Sequence, residues 1–184
     1  MLLVDIYLIL GIIVLITNLI STITLLRIAL LILSIDTQRR LWISSALILF
    51  LSAIIVETFI IMSYLVADIL YGYASLFFPK YSLIWCATYL LFMLSAVLFS
   101  AHTFTSLLAI TVFLQYSLAF LAGIMFAVAL IGAIKKRMSR ILALSMGGIA
   151  YCFLSGLGFM LGDQLLVFVA IVLRDLIVIG YMRY

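Results

Sequence analysis

The sequence predicts an all-α, polytopic membrane bundle of about six transmembrane helices with no soluble domain. Three observations lead to this class: the 184 residues are 70% hydrophobic, only 9% are charged, and the chain has a single proline. A soluble domain carries about 25% charged residues, so a soluble fold is excluded. Because apolar segments use nearly the whole chain, we expect one transmembrane domain over residues 1–184.

Each predicted span is an apolar run of about 20 residues or more, the length that a helix needs to cross a bilayer. The first run is longer than this and must tilt, bend or project from the membrane; a bend is expected near Asn18 and Thr22, since hydroxyl side chains can bond back to the preceding turn. Residues 68–81 are rich in aromatic side chains and are expected to form an interfacial segment. The expected spans are 3–35, 41–67, 82–100, 106–134, 141–161 and 164–182.

The basic residues predict an orientation. With six alternating spans, the cluster from Lys135 to Arg140 shares a face with both termini, and basic loops favour the cytoplasmic side. Arg39 and Arg40 then fall on the opposite face, which conflicts with this rule. No cleavable signal peptide is expected, because no basic segment precedes the first apolar run. We expect an integral protein of the cell membrane or an organellar inner membrane, with both termini on the cytoplasmic or matrix side.

The side chains that usually carry chemistry are scarce. His102 is the only histidine, and Cys86 and Cys152 lie far apart in apolar runs, so the residues supply neither paired haem ligands nor a multi-histidine metal site. We therefore predict no catalytic residue, no cofactor and no metal site, and a chain that is not an enzyme on its own. The positive charge sits at span ends, which indicates topology and not nucleic-acid binding.

Four charges lie well away from the ends of the predicted spans: Arg27, Glu57, Arg174 and Asp175. Adjacent residues on a helix diverge by about 100°, so Arg174 and Asp175 are not expected to neutralise each other. We expect Arg174 to pair with Glu57, and Arg27 to be available to Asp175, to lipid or to a partner. Two interpretations stay open: an ion pair that fixes helix order or meets a partner, and a proton or ion path.

Small residues at helical spacing predict close helix contacts, either inside the chain or with neighbouring subunits. They fall into three stripes: Ser45, Ser52 and Ser63; Ala119, Gly123 and Ala127; Gly148, Cys152 and Gly156. Gln115 and Tyr116 are a polar pair in the fourth span, suited to a helix–helix hydrogen bond or to ligand binding.

Two functions of different classes follow. The first is a non-catalytic integral subunit of a larger membrane complex, of a respiratory, electron-transport or ion-translocating kind, in contact with lipid and other membrane subunits. The second is a small solute transporter, or its membrane-embedded substrate-binding component, with a cavity lined by Glu57, Gln115, Tyr116 or Arg174. An intramembrane enzyme would need a catalytic set that these residues do not form.

Overall fold

A computed structural model describes residues 2–33, 38–71, 82–99 and 115–182. These form six α-helices and no strand, which confirms the predicted all-α membrane bundle. Five of the helices are long and apolar enough to cross a membrane, and α3 is a shorter apolar helix. The helices are α1 (Leu2–Leu33), α2 (Gln38–Tyr71), α3 (Ser82–Phe99), α4 (Gln115–Lys135), α5 (Ser139–Leu161) and α6 (Gln164–Met182).

Two of the predicted boundaries fall partly outside the described residues. Helix α2 continues through Tyr71, past the predicted end of this span at residue 67, and residues 72–81 of the expected interfacial segment lie outside the described part. Helix α4 is described from Gln115, so the predicted start of this span at residue 106 lies outside it as well. Helix α1 is continuous from Leu2 to Leu33, so the stretch around Asn18 does not interrupt it. The Asn18 side chain bonds α2 and α6.

The helices form a closed ring in which each contacts the next along the chain and α6 returns to α1. Side-chain pairs give their directions. Gly11 faces Leu65 and Asn18 bonds Thr58, so α1 and α2 are antiparallel. Ser95 bonds the Ala46 carbonyl, and Phe92 packs edge-to-face against Phe50, which makes α2 and α3 antiparallel too.

Helices α3 and α4, in contrast, run parallel. Both are antiparallel to α5: Trp85 of α3 packs on Phe159 while Phe92 packs on Tyr151, and α4 forms a hairpin with α5. The end of α3 at Phe99 and the start of α4 at Gln115 therefore lie at opposite ends of the bundle. Alternation of all six helices, on which the predicted orientation rests, does not occur.

This break in alternation brings the basic residues together. The first turn of α2, with Arg39 and Arg40, lies at the same end as the α4–α5 turn, with Lys136 and Arg137. We name this the basic end. Hence the expected conflict between these two clusters disappears. Helix α6 ends at Met182 on the side of the basic end, whereas α1 begins at Leu2 at the opposite end of the bundle. This arrangement does not fit the prediction that both termini share a face.

The α5–α6 turn shows how the sequence ends one helix and begins the next. Gly162 adopts φ 70°, the left-handed conformation that glycine reaches at low cost. The Asp163 backbone N–H then bonds the Gly158 carbonyl at 2.8 Å. Asp163 Oδ1 accepts the N–H of Leu165 at 2.9 Å and so caps α6. The tight antiparallel hairpin between α5 and α6 follows from these bonds.

Two predicted small-residue stripes face each other across α4 and α5. A Cβ on Gly148 would lie 2.6 Å from the Phe126 ring, and one on Gly156 would lie 3.3 Å from Ala119 Cβ. Gly123 faces Cys152 and Phe153 in the same way. These glycines let the two backbones approach closely, which is the main source of helix attraction in lipid.

Candidate functional site

The guanidinium of Arg174 occupies the centre of the helix ring. Its Nη1 lies 2.7 Å from Glu57 Oε2, joining α6 to α2. Its Nε and Nη2 donate to Asp175 Oδ1 at 3.0 Å and 2.9 Å. All three side chains are fully buried. The expectation that Arg174 and Asp175 cannot neutralise each other was wrong, because the long arginine side chain curls back toward its neighbour.

Asn18 of α1 completes this cluster. Arg174 Nη2 donates to Asn18 Oδ1 at 2.7 Å, and Asn18 Nδ2 donates to Thr58 Oγ1 at 3.2 Å and to Glu57 Oε2 at 3.5 Å. The Asn18 amide thus accepts from the cation and donates toward the carboxylate. A buried ion pair needs such additional hydrogen bonds for its remaining lone pairs and N–H groups. Asn18, Glu57, Arg174 and Asp175 are called the ion cluster below.

Aromatic rings close the ion cluster on the side of α3 and α5. The Arg174 guanidinium carbon lies 4.8 Å from the Tyr151 ring centre and 5.5 Å from that of Phe92, within the range of a cation–π contact. Gly147 of α5 lets the backbone of α6 approach closely, because a Cβ at this position would lie 3.3 Å from the Arg174 carbonyl oxygen.

The cluster is unbalanced in charge. It holds one guanidinium against two carboxyl groups, all at 0% exposure, and Asp175 Oδ2 has no hydrogen-bond partner among the described residues. A net charge in a low-dielectric interior is costly, and one proton on a carboxyl removes it. The ion cluster and the aromatic rings beside it therefore join α1, α2, α3, α5 and α6 at one centre. One carboxyl group of this centre can hold a proton.

The other predicted residues lie elsewhere. Arg27 is exposed on α1, nine residues and so about 14 Å along the helix from Asn18, and Asp175 takes Arg174 as its partner instead. Ser45 and Ser63 are exposed and Ser52 is half-exposed, so this stripe faces outward. Ala127 is half-buried in α4. The side chains of Gln115 and Tyr116 lie outside the described part of the molecule.

Sequence reasoning missed two members of the site. Asn18 was expected to bend α1, although an amide inside an apolar span is itself a signal of a buried hydrogen-bond partner. Tyr151 stood among ten tyrosines, and nothing in its spacing distinguishes it. A second polar contact, from Tyr89 O–H to Ser155 Oγ at 2.8 Å, joins α3 to α5 and was also unexpected.

Among the described residues, no group of three or more His, Cys, Asp or Glu side chains is arranged to hold a metal ion. Comparison of the chain with protein-family models, with curated proteins and with solved structures finds no match.

Proposed function

We propose that this chain is a non-catalytic integral membrane subunit of a larger membrane complex, of a respiratory or ion-translocating kind. The observation that carries the proposal is an outward-facing row of residues along α2, each exposed or half-exposed while the opposite side of the helix is packed. We call this row the α2 outer face; it comprises Ser45, Ile48, Ser52, Ile55, Phe59, Met62 and Val66.

The α2 outer face has the spacing of a helix-packing seam. Its members alternate by three and four residues, the a/d pattern of a left-handed helix pair. Ser45 and Ser52 are seven residues apart, so the half of this face nearer the start of α2 carries two small side chains. Small residues allow the close backbone approach that drives helix association in lipid. The occupant that fits this seam is a transmembrane helix of another subunit.

The ion cluster supports a structural role in the same way. Arg174 is bound by Asn18, Glu57 and Asp175 at 2.7–3.0 Å, so its charge is met by partners inside the fold. Removing one partner of such a pair leaves an uncompensated buried charge. The cluster thus fixes the order of α1, α2 and α6, and with it the position of the α2 outer face.

The charge distribution supports an orientation for the complex. The basic end carries six cationic residues: Arg39, Arg40, Lys135, Lys136, Arg137 and Arg140. In contrast, the acidic Asp163 lies in the turn at the other end. Basic residues favour the cytoplasmic or matrix side. We infer that the basic end faces this side and that the start of α1 faces the opposite one.

Photo-crosslinking in native membranes tests the proposal. A photoreactive residue at Ser52 should give a covalent adduct with another polypeptide. The matched control is Met146 on α5, which is 40% exposed and lies five residues from Tyr151 toward the basic end, as Ser52 lies five residues from Glu57. Met146 should crosslink to lipid alone.

Two results would overturn the proposal. One is lipid adducts alone from both positions. The other is a single species of about 20.5 kDa protein mass on a native gel after mild solubilisation, because a stable subunit should migrate with its partners.

A further inference from the structure

A groove opens at the basic end, between α1, α2, the last turn of α3 and the α4–α5 turn. It encloses about 270 Å³. Its walls are apolar, formed by Ile28 and Ile32 of α1, Leu47 of α2, Phe99 of α3 and Leu144 of α5. The same groove is also lined by Arg137, Ser139 and Arg140. It is thus apolar along its length and cationic at one end.

The groove lies at the depth where lipid headgroups meet acyl chains. Leu47 is ten residues from Glu57 on α2, about 15 Å at the rise of an α-helix. The ion cluster lies near the middle of its helices, and the hydrocarbon core of a bilayer is about 30 Å thick. The apolar walls therefore end close to the edge of this core, and the arginines lie just beyond it.

Arg137 occupies a position that favours glycine. Its φ is 53°, and it is the one non-glycine residue with positive φ among those described. The Met138 N–H bonds the Ala133 carbonyl at 3.0 Å across it, a helix-ending motif whose left-handed residue is usually glycine. An arginine here adds a conformational cost of about 1 kcal/mol relative to glycine.

The start of α5 adds further donors. Met138 precedes the helix without a side-chain cap, and the first backbone bond of the helix runs from Leu142 N–H to the Met138 carbonyl. The N–H groups of Ser139, Arg140 and Ile141 thus point out of the helix end. They carry partial positive charge that favours an anion. Arg137 and Arg140 are both exposed beside them.

We propose that this groove binds one anionic phospholipid. The phosphate is held by Arg137, Arg140 and the amide end of α5, and one acyl chain lies along Ile28, Ile32 and Leu47. The charge is complementary: Lys135 to Arg140 bring four cations in six residues, and the described residues of the basic end carry no carboxyl group. The apolar walls favour a lipid over a soluble anion, because an inorganic ion would leave them exposed.

Native mass spectrometry of the delipidated protein in detergent tests the proposal. Dioleoylphosphatidylglycerol and dioleoylphosphatidylcholine are titrated as competing probes. Wild-type protein should retain one phosphatidylglycerol in clear preference to phosphatidylcholine. Arg137→Gly should weaken the binding of phosphatidylglycerol about tenfold or more, as expected for a lost charge-assisted bond. This variant should not unfold, because glycine adopts φ 53° more easily than arginine.

Two further variants separate the site from general surface charge. Lys136→Gln removes the same charge one residue away, but Lys136 does not line the groove, so it should bind phosphatidylglycerol as wild type does. Ile32→Trp should fill the groove and lower lipid occupancy with both arginines in place. An equal loss in Lys136→Gln and Arg137→Gly would overturn the proposal. Displacement of the bound lipid by inorganic phosphate would also overturn it, because the ligand would then be a soluble anion.

Discussion

Glu57 and Arg174 meet at 2.7 Å in the centre of the bundle, although they belong to the second and the sixth described helices. Both side chains are at 0% exposure. This contact joins an early part of the chain to a late one through buried charged groups. Loss of either partner is strongly destabilising, because it leaves the other charge buried without compensation. It defines where α6 sits against α1 and α2.

Arg174→Leu should destabilise the protein strongly, because it leaves two carboxyl groups buried without a cation. We expect a loss of about 3–5 kcal/mol in the free energy of unfolding, measured by detergent titration in mixed micelles. Arg27→Leu is the control, since Arg27 is exposed, and should change little. The double variant Arg174→Leu, Glu57→Leu should recover part of the lost stability. The triple variant that also carries Asp175→Leu should recover more. No recovery in either would mean that the charges are paired elsewhere.

Glu57→Gln should be tolerated far better than the loss of Arg174. The glutamine carbonyl can still accept from Arg174, and the variant cluster has one cation and one carboxylate. We expect a change in the free energy of unfolding below about 1 kcal/mol. Glu57→Ala, which removes the acceptor, should cost about 2 kcal/mol or more. If Glu57→Gln were as damaging as Arg174→Leu, an ionised Glu57 would be required to hold Arg174, and Asp175 alone would not be a sufficient counter-ion.

The sequence was sufficient for the class of fold and for several contacts. Apolar runs mark the helices because a span must satisfy its backbone internally, and the position of Glu57 and Arg174 near mid-span indicates their pairing. The parallel course of α3 and α4 could not be read in this way. It depends on which faces of the helices meet at Phe92, Phe126 and Tyr151, and apolar helices with aromatic residues on several faces do not specify that choice.

The same limit applies to the small-residue stripes. Gly148 and Ser52 have equivalent spacing in the sequence, yet Gly148 faces Phe126 inside the bundle while Ser52 faces outward. Residue size shows that a backbone can approach closely, but it does not show which partner approaches. Only the three-dimensional arrangement separates the internal contacts from the α2 outer face.

Gly148→Ala should destabilise the α4–α5 hairpin. The added methyl would lie 2.6 Å from the Phe126 ring, and overpacking of this kind costs about 1–3 kcal/mol. Gly132→Ala, also within a helix, meets nothing within 4 Å and should stabilise by about 0.5–1 kcal/mol. Thermal unfolding in the same detergent compares the two variants, and equal shifts in Tm would argue against the close approach at Gly148.

Cysteine labelling should place Leu41 and Lys136 on the same side of the membrane. In a Cys86→Ala, Cys152→Ala background, Leu41→Cys and Lys136→Cys should react with a membrane-impermeant maleimide from one face of sealed vesicles. Leu161→Cys, at 70% exposure beside the opposite turn, should react from the other face. Six alternating spans would instead place Leu41 and Lys136 on opposite faces, so that labelling pattern would contradict the parallel course of α3 and α4.

The central position of Arg174 also has a consequence for biosynthesis. A polypeptide is made from its N-terminal end at about 5–20 residues per second, so Asn18 and Glu57 enter the membrane several seconds before α6 is translated. During this interval Glu57 lacks Arg174, its ion-pair partner in the folded bundle, and a lone carboxylate in lipid is costly. The contact can form only after α6 has been made, so the packing of α1 and α2 around the ion cluster is completed late in synthesis.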